Sequence, residues 1–85
     1  MEAPPGFEYR AVTIEAGGDR IYHRREWWDA LVLVTRGEVE LECRDGSRQR
    51  VARGDVFWLA GLPLRRIRNR GSQPARLLAI RRCRD

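Results

Sequence analysis

No window of the chain carries apolar residues at helical spacing. Short apolar runs are cut instead by turn signals at a short, even interval. The signals are Gly17-Gly18-Asp19, Arg36-Gly37, Asp45-Gly46, Gly54-Asp55, Gly61 and Gly71-Ser72-Gln73-Pro74, and from Gly37 onward they recur every seven to ten residues. That interval holds a strand and its turn but not a three-turn helix, and the rhythm belongs to all-β sandwiches and barrels.

The clearest strand is Glu38 to Cys43, where glutamates at 38, 40 and 42 alternate with Val39, Leu41 and Cys43. A period of two predicts one dry face and one solvated acidic face. Asp45-Gly46 predicts a tight hairpin turn with positive φ at both central positions, returning into a strand over Arg48 to Ala52. Ala30 to Thr35 is almost wholly apolar and predicts a strand buried on both faces. Further strands are expected over Phe7 to Glu15, Arg20 to Arg24, Asp55 to Leu59, Leu64 to Asn69 and Ala75 to Arg82. The fold class is therefore all-β, about eight strands, close to a jelly roll, with Val39, Leu41, Val56 and Leu77 in or near the core. Residues 1 to 6, rich in proline, read as a flexible tail, and residues 7 to 85 as a single domain.

Eighty-five residues leave room for one domain, burying roughly 64% of the extended chain's surface. Apolar residues at 42% and charged residues at 34% fit a globular rather than a disordered chain. No apolar run exceeds five residues, as in Ala30 to Val34, so no membrane-spanning helix is expected. The start has neither a basic nor an apolar leader segment, and the two cysteines, Cys43 and Cys83, form no CxxC. The expectation is a cytoplasmic protein with reduced thiols. All 17 basic residues are arginines, the net charge is +5, and the densest clusters are Arg65, Arg66, Arg68, Arg70 and Arg81, Arg82, Arg84. A basic surface can attract nucleic acid. These arginines are spread along the chain and lack the interleaved aromatics of single-strand platforms, so nucleic acid is not the expected partner.

The stretch Leu31-Val32-Leu33-Val34-Thr35-Arg36-Gly37-Glu38-Val39-Glu40-Leu41 resembles the segment that ends the first motif of the cupins. Gly54 to Asn69 has the length and frame of the second motif. The resemblance covers about residues 7 to 83 and implies a cupin-type double-stranded β-helix, a jelly-roll barrel with one pocket, often paired as a homodimer. Cupins that bind metal typically use two histidines and a glutamate from the first motif and a histidine from the second. Carried over residue by residue, the histidine positions of the first motif fall on His23 and Arg25, and the glutamate position on Ala30. The histidine position of the second motif falls on Arg65, and its closing asparagine on Asn69; the proline and second glycine positions hold Ala60 and Leu62. One ligand of four is kept, and a guanidinium has no lone pair to donate. In a register shifted by one, Asp29 adds a carboxylate beside His23, and Cys43 a third donor if it shares that face. Two ligands alone do not hold a first-row ion well. No metal and no other cofactor is expected.

The site read from this frame consists of His23, Arg25 and Arg65 in the barrel mouth, with Trp28 and Trp58 as walls for a ligand. Arginine offers a planar fork for carboxylate or phosphate, and His23 a hydrogen bond or a proton near neutral pH. Against this stands the reading that each arginine pairs with an acidic neighbour such as Glu26, Asp29 or Asp55. Trp27 and Trp28 are adjacent on an expected extended stretch, which sends one to the core or pocket and the other to the surface or a partner. Trp58, between Phe57 and Leu59, reads as a packing residue. No nucleophile constellation or nucleotide-binding fingerprint is present. The leading function is a small-molecule-binding protein with a metal-free pocket for an anionic organic ligand, acting as a sensor module or a metal-independent isomerase or cyclase. The alternatives are a metal-dependent oxygenase or isomerase and an arginine-rich nucleic-acid-binding module. A homodimer is expected, because three tryptophans and an almost wholly apolar strand exceed what an 85-residue core readily covers.

Overall fold

The computed structural model describes residues 5–23, 27, 30–58 and 63–82. Eight strands follow one another: β1 (Phe7–Ile14), β2 (Asp19–Ile21), β3 (Leu31–Arg36), β4 (Glu38–Cys43), β5 (Arg48–Ala52), β6 (Val56–Trp58), β7 (Leu64–Arg68) and β8 (Ala75–Arg82). They form two four-stranded antiparallel sheets, ordered β1-β8-β3-β6 and β2-β7-β4-β5. Sequence neighbours β1 and β2 lie in different sheets, as do β3 and β4, which makes the two sheets one jelly-roll barrel rather than two meanders. The expected strands are all present, and β4, β5 and β8 keep their expected bounds.

The core lies between the sheets. The first sheet contributes Val12, Ile14, Val32, Val34, Leu77 and Ala79, and the second Val39, Leu41, Val51, Leu64 and Ile67. Period-two alternation sets both lists, since successive side chains on a strand point to opposite faces. Val56, expected in or near the core, is 55% exposed. It sits on the edge strand β6 and shares an outward parity with Trp58, while Phe57 between them packs against the core. Trp58 is likewise half exposed rather than packed.

The outward faces of the two sheets differ in kind. On the first sheet the registers align two apolar rows across all four strands: Tyr9, Ile80, Leu31 and Trp58 in one, Ala11, Leu78, Leu33 and Val56 in the other. The strand expected to be buried on both faces thus buries only one: Val32 and Val34 are in the core, while Leu31 and Leu33 stand half-buried on this outer face. On the second sheet the outward rows are ionic. Arg66 Nε donates to Glu42 Oε2 at 2.6 Å and its Nη1 lies 3.3 Å from Asp19 Oδ2. Arg48 Nε lies 3.8 Å from both Glu40 and Glu42, and Arg70 Nε 3.3 Å from Glu40. Of the acidic face expected to be solvated, Glu38 is exposed, whereas arginines cover Glu40 and Glu42, and Glu42 is buried. Its hydrogen bond to Glu42, then that to Asp19, holds the Arg66 guanidinium protonated more firmly than usual.

The β4–β5 hairpin differs from the expected two-residue turn. Gly46 N–H donates to Cys43 C=O at 3.0 Å, and Cys43 N–H to Ser47 C=O at 2.9 Å, with Gly46 at φ 88°. This is a three-residue loop with one left-handed residue, the geometry that a type I turn with a glycine bulge provides. Asp45 Oδ1 accepts from the Ser47 hydroxyl at 2.6 Å and the Ser47 amide at 2.9 Å, which explains aspartate at that place. The far end of the barrel is closed by Asn69. Its Nδ2 donates to Ile14 C=O and Gln73 C=O at 2.9 and 2.7 Å, and its Oδ1 accepts from Gly71 N–H at 2.9 Å.

Candidate functional site at the barrel mouth

The opposite end of the barrel is open because the inward rows change character there. On β1, Val12 and Ile14 are buried, so the same parity places Arg10 and Glu8 over the inner face nearer the mouth. On β8, the buried row Ala75, Leu77, Ala79 continues into Arg81. The registers set Arg10 opposite Ala79 and Glu8 opposite Arg81. Ala30 precedes β3 on the same side and is buried. Two alanines where larger side chains would fill the barrel leave a cavity of about 150 Å³, lined by Glu8, Tyr9, Arg10, Ala30, Ala79 and Arg81.

The charges in this mouth are ordered by contacts. Arg81 Nε donates to Glu8 Oε1. The Arg10 guanidinium lies over the Trp27 ring, 5.4 Å from its centroid, in cation–π range. Trp27 is itself buried, and its indole Nε1–H finds no acceptor among the described residues. Trp27 is not on an extended stretch. Its amide donates to His23 C=O at 3.3 Å and its carbonyl accepts from Ala30 N–H at 3.1 Å, local bonds that a strand does not make, and its ring is buried.

Of the residues expected in the site, His23 and Arg65 come to this same end. Tyr22 N–H donates to Arg65 C=O at 2.9 Å, which joins the exit of β2 to the start of β7. Both side chains are exposed. Arg65 is the extra residue of a β-bulge: Glu42 pairs with Arg66 and Cys43 with Leu64, so Leu64 and Ile67 both enter the core and Arg65 does not. Arg25 and Trp28 lie outside the described residues, as does Asp29. Trp58 stands on the outer face of the first sheet, in a groove of about 300 Å³ with Phe7, Leu31, Ile80, Arg81 and Arg82. Glu8, Arg10 and Arg81 did not emerge from the motif frame. The signal that finds them is parity: they extend the inward rows of β1 and β8 by one or two steps.

The donor set of a metal-holding cupin does not fit here. Ala30 lines the cavity where a glutamate would reach in, and Arg65 holds a protonated guanidinium at the last histidine position. Among the described residues, no three of His, Cys, Asp and Glu converge.

Comparison with known proteins agrees with this architecture. Residues 10–81 match the Cupin_2 family model, a cupin domain. The structure superposes on a cupin 2 conserved barrel domain protein from Salinispora arenicola with a TM-score of 0.72 at 22% identity, covering 94% of this chain and 68% of that one. It superposes on the Cupin_2 domain of an XRE family transcriptional regulator from Enterobacter cloacae at 0.73 and 21%, covering 93% and 84%. Ectoine synthase from P. lautus matches at 0.69 and 23%, covering 89% of this chain but only 53% of its own length. No curated protein sequence matches. With its family motif spanning β1 to β8 and its barrel shared with these structures, the chain belongs to the Cupin_2 family of cupin domains.

Proposed function

We propose that the protein binds a small anionic organic molecule in the barrel mouth without a metal ion. The observation that carries this reading is a cavity of about 150 Å³ whose lining brings together the guanidiniums of Arg10 and Arg81 and the carboxylate of Glu8. Planar guanidiniums on a partly dry wall suit a carboxylate or phosphate better than any neutral group. The Trp27 indole N–H, buried beside this wall without an acceptor among the described residues, adds a donor that a ligand oxygen would satisfy. At about 30 Å³ per water, the cavity takes a molecule of roughly five to eight heavy atoms. His23 and Arg65 on the rim would meet the part of the ligand that projects outward.

Cupin relatives include both a regulator domain and a synthase, so a sensor module and a metal-independent isomerase or cyclase both remain within this reading. Unbridged Cys43 suits a cytoplasmic setting.

The test is a titration of the purified protein with succinate, citrate and inorganic phosphate, followed by tryptophan emission and thermal shift. Saturable binding by at least one is expected. A charge-assisted hydrogen bond contributes about 1.5–3 kcal/mol, so Arg81→Ala and Arg65→Ala should each weaken binding about ten- to a hundred-fold. An affinity unchanged in both variants, or no saturation with any probe, overturns the anion pocket. Stoichiometric Fe, Mn, Ni or Zn in protein purified without added metal overturns the metal-free part.

A further inference from the structure

We infer that the groove on the outer lip of the barrel mouth is a second binding site, apart from the mouth cavity, for an amphipathic monocarboxylate: a free alkyl or aryl acid with a single anionic head. The groove measures about 300 Å³ and is lined by Phe7, Leu31, Trp58, Ile80, Arg81 and Arg82. Antiparallel pairing gathers these residues at one end of the sheet. Phe7 opens β1, Leu31 opens β3, Trp58 closes β6 and Arg82 closes β8. The registers set Phe7 opposite Arg82, Ile80 opposite Leu31, and Leu31 opposite Trp58. Phe7 and Trp58 remain 42 and 49% exposed. Apolar side chains exposed singly are ordinary on a protein surface, but here Phe7, Leu31, Trp58 and Ile80 share one concave wall.

The charges of the groove select the head group. Its charged lining residues are Arg81 and Arg82, and no carboxylate stands among its described lining residues. Arg81 is already engaged, donating through Nε to Glu8. Arg82 has no acidic partner among the described residues. One guanidinium without a counter-ion beside an apolar wall calls for one anionic head, and its planar fork matches a carboxylate. The mouth cavity has a different balance. Glu8, Arg10 and Arg81 line it together, so it suits a smaller and more polar molecule.

The dimensions select the tail. From β8 across β3 to β6 is about 10 Å, two strand spacings, which is roughly the reach of an extended chain of about eight carbons. Such a chain, with its head at Arg82, crosses Ile80 and Leu31 and ends at Trp58. At about 30 Å³ per heavy atom the groove holds about ten, the number in octanoate. The outward rows of the second sheet offer no comparable wall, since Glu40, Glu42, Arg48, Arg66 and Arg70 fill them with ion pairs.

Calorimetric titration with butanoate, hexanoate and octanoate, without and with excess succinate, tests the inference. Octanoate should bind saturably in both conditions, and each added CH2 should tighten binding about two- to fourfold. Arg82→Ala should weaken octanoate about three- to tenfold. Trp58→Ala should flatten the rise of affinity with chain length. Should Trp58→Ala fail to fold, Phe7→Ala, at the exposed start of β1, must flatten it instead. Arg50→Ala, on the ionic sheet, should leave octanoate binding unchanged. An absence of saturation, or an affinity independent of chain length, overturns the inference. Octanoate displaced by succinate lies in the mouth cavity, which also overturns it. So does octanoate binding that weakens as the protein is raised from about 1 to 100 µM, because a second copy then covers the groove.

Discussion

The amide of Asn69 bridges Ile14 and Gln73, donating to the first carbonyl at 2.9 Å and the second at 2.7 Å. Ile14 ends β1, fifty-five residues earlier, so one buried side chain ties the first strand to the turn before the last. Asn69→Ala leaves these carbonyls and the Gly71 amide without their partner in a dry site. The expected cost is about 2–4 kcal/mol, or a fall in Tm on the order of 10–20 °C, read by calorimetry. Asn69→Asp should lose almost as much, because a carboxylate cannot donate to either carbonyl.

Gly37 lies at φ 74° between β3 and β4, and a Cβ there would stand 3.0 Å from Pro74 O and 3.1 Å from Ala75 Cα. Gly46 has φ 88° with nothing within 4 Å. Both alanine variants incur the left-handed penalty of about 1–2 kcal/mol, but only Gly37→Ala must also move backbone. Chemical denaturation should show Gly37→Ala clearly less stable than Gly46→Ala. Equal losses would mean that the contact to residues 74 and 75 relaxes freely.

The hydrogen bond from the Ser47 hydroxyl, then that from the Ser47 amide, holds the Asp45 carboxyl below its ordinary 3.8. A lowered folded-state pKa means the ionised turn is favoured by folding. Its contribution is present above the unfolded pKa and is lost as pH falls through the folded one. Carboxyl NMR titration of Asp45 should therefore give a midpoint below 3.8, and Ser47→Ala should move it toward the ordinary value. The hairpin contribution should disappear only in acid, with no change between pH 5 and 8.

The fold was legible in the residues because a strand writes its own orientation. Glu38 to Cys43 alternates in the letters, and the even turn spacing left no length for a helix. Asn69 was legible too, through the frame of the second motif. The positions that misled were those whose partners lie far away in the chain. Val56 and Leu33 look like core residues, and only the sheet order, which puts β6 at an edge, shows which side of them is covered. Glu42 looks like a solvated residue until Arg66 and Arg48, on two other strands, close over it.

The site divides the same way. The sequence alone determined that an arginine stands where the last histidine of a metal set would be and an alanine where its glutamate would be, since side-chain chemistry is local and a guanidinium cannot ligate. It could not determine which arginines enter the barrel. A one-residue bulge opposite Glu42 and Cys43 turns Arg65 outward, and a bulge has no mark in a list of residues. Pairing of β1 with β8 brings Glu8, Arg10 and Arg81 together from the two ends of the chain. Register over that distance is an outcome of packing the whole core, so only the tertiary structure decided it.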